Sequence, residues 1–497
     1  MRRVSVSVGV AFALGMVSPV MPTARAESAD KGVETVKRAL AAFEREDCPG
    51  AVRLLKPALK PAAAAQLPEA VAAAAYYLAA TCLAGKDLAE ARRMAIAGTA
   101  LAEAPDGLWH LRLGIDLDSG DNAAALATLA AMTEGRGGAL NTVPMRWLYQ
   151  LSRKLNGAGS EGLRLQFLRI MTADAYDPDE AGASKNGFRY DLAKILAGNG
   201  DTAAAAAQIA LIDSASILLT MSYDARTGPL MPAGFDPRAA MERELANARA
   251  NMLRHPDALS PLLGAVGNLR ALGRPKEALE LLEAARAGGK KIEDYADADE
   301  FRNWWWDAMA RTQEMMGNAD ATFVAFTQGA GEKENGGDNV SQTINLAHAQ
   351  NRFGRHADAL KTLPSTDKGF SASPYGAMEM RLARGCANAA LGNMPAYATD
   401  LSYAREHAKD NWQVLVDLYL CGGDLDGAAV ALIGNLTDAD NRAEALVWLS
   451  DYDAALPGRP LYSFEKRLNE LKARADVKAA IDKAGGIRRV RLQRGEL

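Results

Sequence analysis

The chain has 497 residues and a formal net charge of −4, with no basic excess. Nucleic-acid binders ordinarily carry a clustered one, so nucleic acid is not an expected partner. Hydrophobic residues make up 49% of the chain but aromatics only 6%, so burial must rest on aliphatic side chains and on alanine, the strongest helix former.

The N-terminus reads as a secretory signal. Arg2 and Arg3 precede an apolar run from Val4 to Val17, and Ala24-Arg25-Ala26 fits the small-x-small cleavage pattern. Cleavage after Ala26 would leave Glu27 first. The alternative is an uncleaved anchor, but residues 4–17 fall short of the roughly 20 needed to span a bilayer. A later hydrophobic stretch of spanning length is absent, so stable membrane insertion is not expected. The predicted destination is a bacterial envelope, in the periplasm or beyond it.

Export makes the four cysteines informative. Cys48 and Cys82 are 34 residues apart, and Cys386 and Cys421 are 35 apart. In an oxidising compartment an even count favours disulfides. The spacing favours two staples, Cys48–Cys82 and Cys386–Cys421, over four buried thiols, although four cysteines allow three pairings. Neither a C-x-x-C motif nor a Cys/His cluster occurs, so neither zinc nor thiol-redox chemistry is expected.

From residue 27 onward one local phrase recurs. Gly-polar-x-x-x-Ala appears at Gly120…Ala125, Gly200…Ala205, Gly273…Ala278, Gly354…Ala359 and Gly423…Ala428. Looser copies surround Asp47, Gly85, Gly159, Gly317 and Gly392. Glycine can end a helix in a left-handed cap, the polar residue turns the chain, and the small alanine lets the next helix lie close. Upstream of these glycines the apolar positions follow helical spacing. Trp109, Trp306 and Trp412 each stand eleven residues before a turn glycine, at Gly120, Gly317 and Gly423.

The rhythm breaks at Ser222–Pro232, a Pro/Gly-containing excursion, and helix is predicted to resume at Asp236-Pro237, an N-cap followed by proline. Gln328–Asn339 reads as a glycine-rich acidic loop. The predicted division is therefore a signal peptide (1–26), helical repeats (27–213), an excursion with a connecting helix (214–250), more repeats (251–456), and closing helices with a basic tail (457–497). That tail, Arg488 to Arg494, is expected to fray.

The pattern Trp412, Leu415, Tyr419, Gly423, Ala428 resembles the tetratricopeptide repeat. Intervals between turn glycines run from 31 (Gly392 to Gly423) to 38 (Gly354 to Gly392), around the family's period of about 34. The resemblance covers residues 30 to 450 and implies an all-α, right-handed α-α superhelix of about ten helix-turn-helix repeats. It specifies architecture, not activity.

Catalytic chemistry has no visible home. The histidines at 110, 255, 348, 356 and 407 stand singly, without H-E-x-x-H or an i,i+4 pair. Ala158-Gly159-Ser160-Glu161-Gly162 lacks the first glycine of a nucleophile elbow and has no preceding strand. Gly288-Gly289-Lys290-Lys291 lacks the remaining residues of a phosphate loop. No catalytic residue, metal or cofactor is expected, and the chain reads as a non-enzyme.

The resemblance implies that the first helix of each repeat lines a concave face where partner peptides bind. On that reading Trp306 is a buried knob, while Trp304, Asp307 and Arg311 face the groove, joined by Asn345, His348 and Arg352 from the next unit. Tyr223 and Arg226 would reach the same groove from the excursion, acting as a lid or hook; the competing reading of that excursion is a surface loop. The competing reading of Trp304-Trp305-Trp306 is core packing. Two functions follow: a periplasmic scaffold for a protein or peptide partner, or an envelope protein binding a glycan or small ligand around the triple tryptophan.

Overall fold

A computed structural model describes residues 23–134, 137–157, 159–333, 339–363 and 372–495. The expected signal peptide lies almost wholly outside the described residues, as does most of the acidic stretch between Glu332 and Asn339. Over the described residues the protein is built of α-helices paired through short turns, with one two-stranded sheet. No helix among them is long and apolar enough to cross a membrane.

The recurring phrase works as a local device. Gly120 adopts φ +71°, a left-handed conformation that other residues enter at a cost. Asp121 then caps the next helix by accepting a hydrogen bond from the Ala124 N–H at 2.9 Å. Asp201 and Asp424 do the same for Ala204 and Gly427. The closing alanines 125, 205, 278, 359 and 428 are all completely buried. At Glu46-Asp47 the device appears without glycine: Glu46 itself takes the left-handed turn, and Asp47 caps Gly50.

The chain divides into two compact units, Met1–Phe188 and Arg189–Leu497. In the first, the described part pairs Thr23–Glu44 with Cys48–Ala58, Glu69–Leu83 with Leu88–Thr99, and Asp106–Asp118 with Asn122–Thr133. Cys48 is bonded to Cys82, which joins the first hairpin to the second.

The second unit carries four successive hairpins, and in the first three the first helix is the longer. These are Ala298–Met315 with Ala319–Gly331, Val340–Arg352 with His356–Thr362, Pro374–Ala390 with Met394–Glu406, and Trp412–Gly422 with Leu425–Thr437. The first helices touch one another in sequence. Cys386 is bonded to Cys421, so this bridge ties two neighbouring first helices. Replacing both of these cysteines by serine is expected to cost about 2–4 kcal/mol, because the unfolded chain regains the freedom the bridge removed. A thermal melt of the double variant beside the wild type would show it, and an unchanged midpoint would refute it.

The basic tail does not fray. Strand β1 (Asp451–Asp453) pairs in parallel with strand β2 (Arg489–Gln493), and Val490 and Leu492 are buried. β2 packs on Pro237–Arg254 and Ser260–Ala271, near the start of the unit. Arg491 forms an ion pair with Asp236 at 2.6 Å, and Arg238 donates to the Arg491 carbonyl at 3.1 Å. The tail's alternation of charged and apolar residues is thus a strand pattern, with one face on the helices.

The excursion is likewise built in. Ala215–Tyr223 is helical, Gly228–Leu230 forms one 3₁₀ turn, and helix resumes at Pro237 with Asp236 as its cap. The Ala215–Tyr223 helix packs on Arg442–Leu449.

Candidate functional site

The first helices of the second unit present polar residues at helical spacing toward one another. Asp307 is buried on Ala298–Met315. Its carboxylate accepts from Arg311 Nε at 2.7 Å and from Asn345 Nδ2, on the next first helix, at 2.9 Å. Two turns on, Glu314 receives the Arg352 guanidinium through both Nε and Nη2, the latter at 2.9 Å. His348 Nε2 lies 3.2 Å from Glu379 on the third first helix. Asn411, just ahead of the fourth, donates to Glu379 at 2.9 Å.

Charge burial in this stripe is offset by pairing. Burial alone would push the Glu379 carboxyl up. Contacts from His348, Tyr375 and Asn411 outweigh that and hold it below the usual carboxylate range. Desolvation would lower Arg352, yet Glu314 raises it further. Asp417 is different. Burial, with Glu379 and Glu465 nearby, holds its carboxyl well above the ordinary range, and among the described residues its Oδ1 finds no hydrogen-bond partner.

Asp417 therefore makes stability depend on pH in a defined direction. The unfolded chain releases this proton from about pH 4, whereas the folded protein still holds it, so stability falls as pH rises from there toward the raised folded value. Glu379, with its lowered value, acts in the opposite sense across the acid range. Asp417→Asn is expected to melt higher than the wild type at neutral pH, by a margin that shrinks to nothing near pH 3. A margin independent of pH would remove Asp417 as its source.

The floor of the stripe is closed from far along the chain. Tyr462 is buried, shares hydrogen bonds with His348 Nδ1 and Asn351 Nδ2, and lies with its ring 5.6 Å from the Arg352 guanidinium. Burial raises its phenol far above the ordinary value. The segment before it passes so near Gly317 that a Cβ there would meet the Gly458 carbonyl oxygen at 2.7 Å. The inner ends of the stripe are thus occupied by the protein's own C-terminal segment.

Among the described residues the outer ends are open. Trp304 is 38% and Tyr375 60% exposed, and Arg311, Asn345 and Glu379 are half-buried between them. Trp304, Asp307 and Arg311 follow at three and four residues along one helix face. Arg311 is close enough to Tyr375 to lower its phenol, although burial and Glu379 together leave that group raised.

The structure thus brings together Trp304, Asp307, Arg311, Asn345, His348 and Arg352. It does not bring Tyr223 or Arg226 to them. Tyr223 is buried, its hydroxyl 2.7 Å from Ser450 Oγ and receiving the Arg488 N–H at 2.8 Å, with the Arg488 guanidinium over its ring. It anchors the tail and is not a lid. Arg226 grips Asp224 with Nε and Nη2, beside Tyr190 and Asp440. The buried knob is Trp305, not Trp306. Trp305 is 0% exposed and meets the half-buried Trp306 edge to face at 4.8 Å.

Sequence reasoning missed Glu314, Tyr375, Glu379 and Tyr462. Glu314 was accessible, since it stands three residues after Arg311 and seven after Asp307 on the same face. Tyr462 has no periodic signal at all. Among the described residues no group of three or more His, Cys, Asp or Glu is placed to hold a metal ion.

No protein-family model matches the chain, and no curated protein matches it. Solved structures similar to it include the Cut9-Hcn1 hetero-tetramer of the APC/C, at 14% identity and a TM-score of 0.30, covering 91% of this chain and 90% of that one. Yeast Tom70 aligns at 11% identity and a TM-score of 0.27, over 91% and 99% respectively. The pentatricopeptide repeat protein PPR10, solved with an 18-nt psaJ RNA element, aligns at 14% and 0.26, over 96% and 76%. Likeness at this level carries neither partner nor activity to this chain.

Proposed function

We propose that the protein is an exported, tetratricopeptide-like scaffold that holds a protein or peptide partner on the stripe of first helices in its second unit. The observation that carries this reading is the open rim, where two exposed aromatics, Trp304 and Tyr375, flank Arg311, Asn345 and Glu379. Aromatic and arginine side chains dominate binding energy at protein interfaces. Here the charged ones are pre-positioned by buried partners, Asp307 for Arg311 and His348 for Glu379, which reduces the ordering cost of binding. A non-catalytic role fits a site whose ionisable groups are consumed in pairing. Two disulfides suit an oxidising compartment such as the periplasm.

A photo-crosslinking residue in place of Tyr375, activated in an envelope fraction, tests the proposal. The expected result is a discrete protein adduct, weakened about tenfold or more by Trp304→Ala or Arg311→Gln. An adduct indifferent to both variants, or none, would overturn it. The exposed Trp304 ring could also stack on a sugar. A melting-point rise with peptidoglycan fragments, without a protein adduct, would favour that second reading.

A further inference from the structure

Outside the stripe, the loop after Pro275–Ala284 builds a separate cavity. Gly288 and Gly289 both take left-handed φ, at +69° and +83°, and turn the chain back on itself. The hollow this leaves measures about 370 Å³ and is lined by Arg286, Gly289, Lys290, Lys291, Glu293 and Trp306. That volume suits a small molecule and not a chain segment.

The charges around it are unbalanced. Arg286, Lys290 and Lys291 line the hollow, whereas among the described residues Glu293 is its one acidic lining residue. Among the described residues none of the three cationic side chains forms an ion pair or donates a hydrogen bond. Two of them, Arg286 and Lys290, are held by aromatic faces instead. The Arg286 guanidinium lies 5.7 Å from the Trp305 ring and 6.0 Å from the Trp306 ring, and Lys290 Nζ sits 3.5 Å over Tyr295. A cation over a ring is attracted by its π face but keeps its N–H donors for another acceptor. The stripe shows the contrast, since its arginines at 311 and 352 are both taken up by carboxylates.

Donors without acceptors beside a half-buried indole define a ligand class. We infer that this cavity binds a small oxyanion-bearing molecule, a carboxylate or phosphate, whose oxygens meet Arg286, Lys290 and Lys291 while its body lies against Trp306. Arginine suits the two oxygens of such a group through paired donors, and the lysines act as point charges. The inference does not rest on the polypeptide reading, because the ligand's contacts are not shared with the stripe.

Two probes test it on the full chain: inorganic phosphate, and phthalate, an aromatic dicarboxylate. The readout is the set of tryptophan indole N–H resonances, with the Trp306 signal assigned from Trp306→Phe. Saturable movement of that signal by either probe, beyond what matched sodium chloride produces, is the expected result. Stronger binding of phthalate would identify an organic acid, and stronger binding of phosphate a phosphorylated ligand. Lys290→Gln with Lys291→Gln should weaken the response about tenfold or more, while the melting curve stays unchanged because neither lysine is buried. A response no larger than that to chloride, or one the double variant leaves intact, would overturn the inference.

Discussion

Glu314→Ala is expected to destabilise the Arg189–Leu497 unit by about 3–5 kcal/mol, the usual cost of stripping one partner from a buried ion pair. The Glu314 side chain is only 7% exposed and carries both Nε and Nη2 of Arg352. Without it the guanidinium stays enclosed against Tyr462 with no counter-charge, and desolvation, already the largest influence on Arg352, goes unopposed. Restoring neutrality should recover part of the loss. Glu314→Ala combined with Arg352→Met leaves no orphaned charge, so the double variant should be more stable than the single one. Urea denaturation of both variants checks this. Hydrogen exchange adds a local readout, as the amides around Tyr462 should open first in Glu314→Ala. A loss below about 1 kcal/mol, the range of exposed pairs, would show that the pair is not truly enclosed.

Trp305→Ala should cost a similar amount, about 3–5 kcal/mol, from lost burial and the cavity left behind. Trp305 is fully buried in the main core of the second unit, among residues of several helices, and carries the edge-to-face contact with Trp306. Trp304→Ala, on the exposed side of the same helix, should cost under about 1 kcal/mol, as surface changes do. Thermal melts of the two variants separate these roles directly. Equal losses would mean that the helix is turned differently from the arrangement described here. Because Trp304 belongs to the proposed binding rim, its variant should lose partner capture while keeping its fold. Trp305→Ala should do the reverse of that pattern, failing in stability first.

The three tryptophans show where reading a sequence reaches its limit. Helical phase puts Trp304, Asp307 and Arg311 on one face, because three- and four-residue spacing is a property of the helix itself. It could not say which of Trp305 and Trp306 lies deeper. Both point away from that face, and depth depends on which neighbour covers them. The fully buried Trp305 lies in a core shared with the Ser260–Ala271 and Pro275–Ala284 helices, a packing no local pattern encodes. Arg352 and His348 were placed beside Arg311 because the repeat sets neighbouring first helices side by side. Glu379 belongs to the same series one unit further on.

What the residues alone determined was the hairpin rhythm and its staples. A left-handed glycine, an aspartate cap and a buried alanine act within about five residues, so their chemistry is complete wherever they occur. The 34- and 35-residue cysteine intervals match one repeat, which puts each pair within reach. Only the tertiary structure decided that Tyr462 fills the floor of the stripe, and that the basic tail becomes a strand on helices more than two hundred residues earlier, as in the contact of Arg491 with Asp236. Such contacts happen once and do not repeat. They are set by which surfaces remain uncovered after the hairpins have stacked, and that is a property of the assembled unit and of no segment within it.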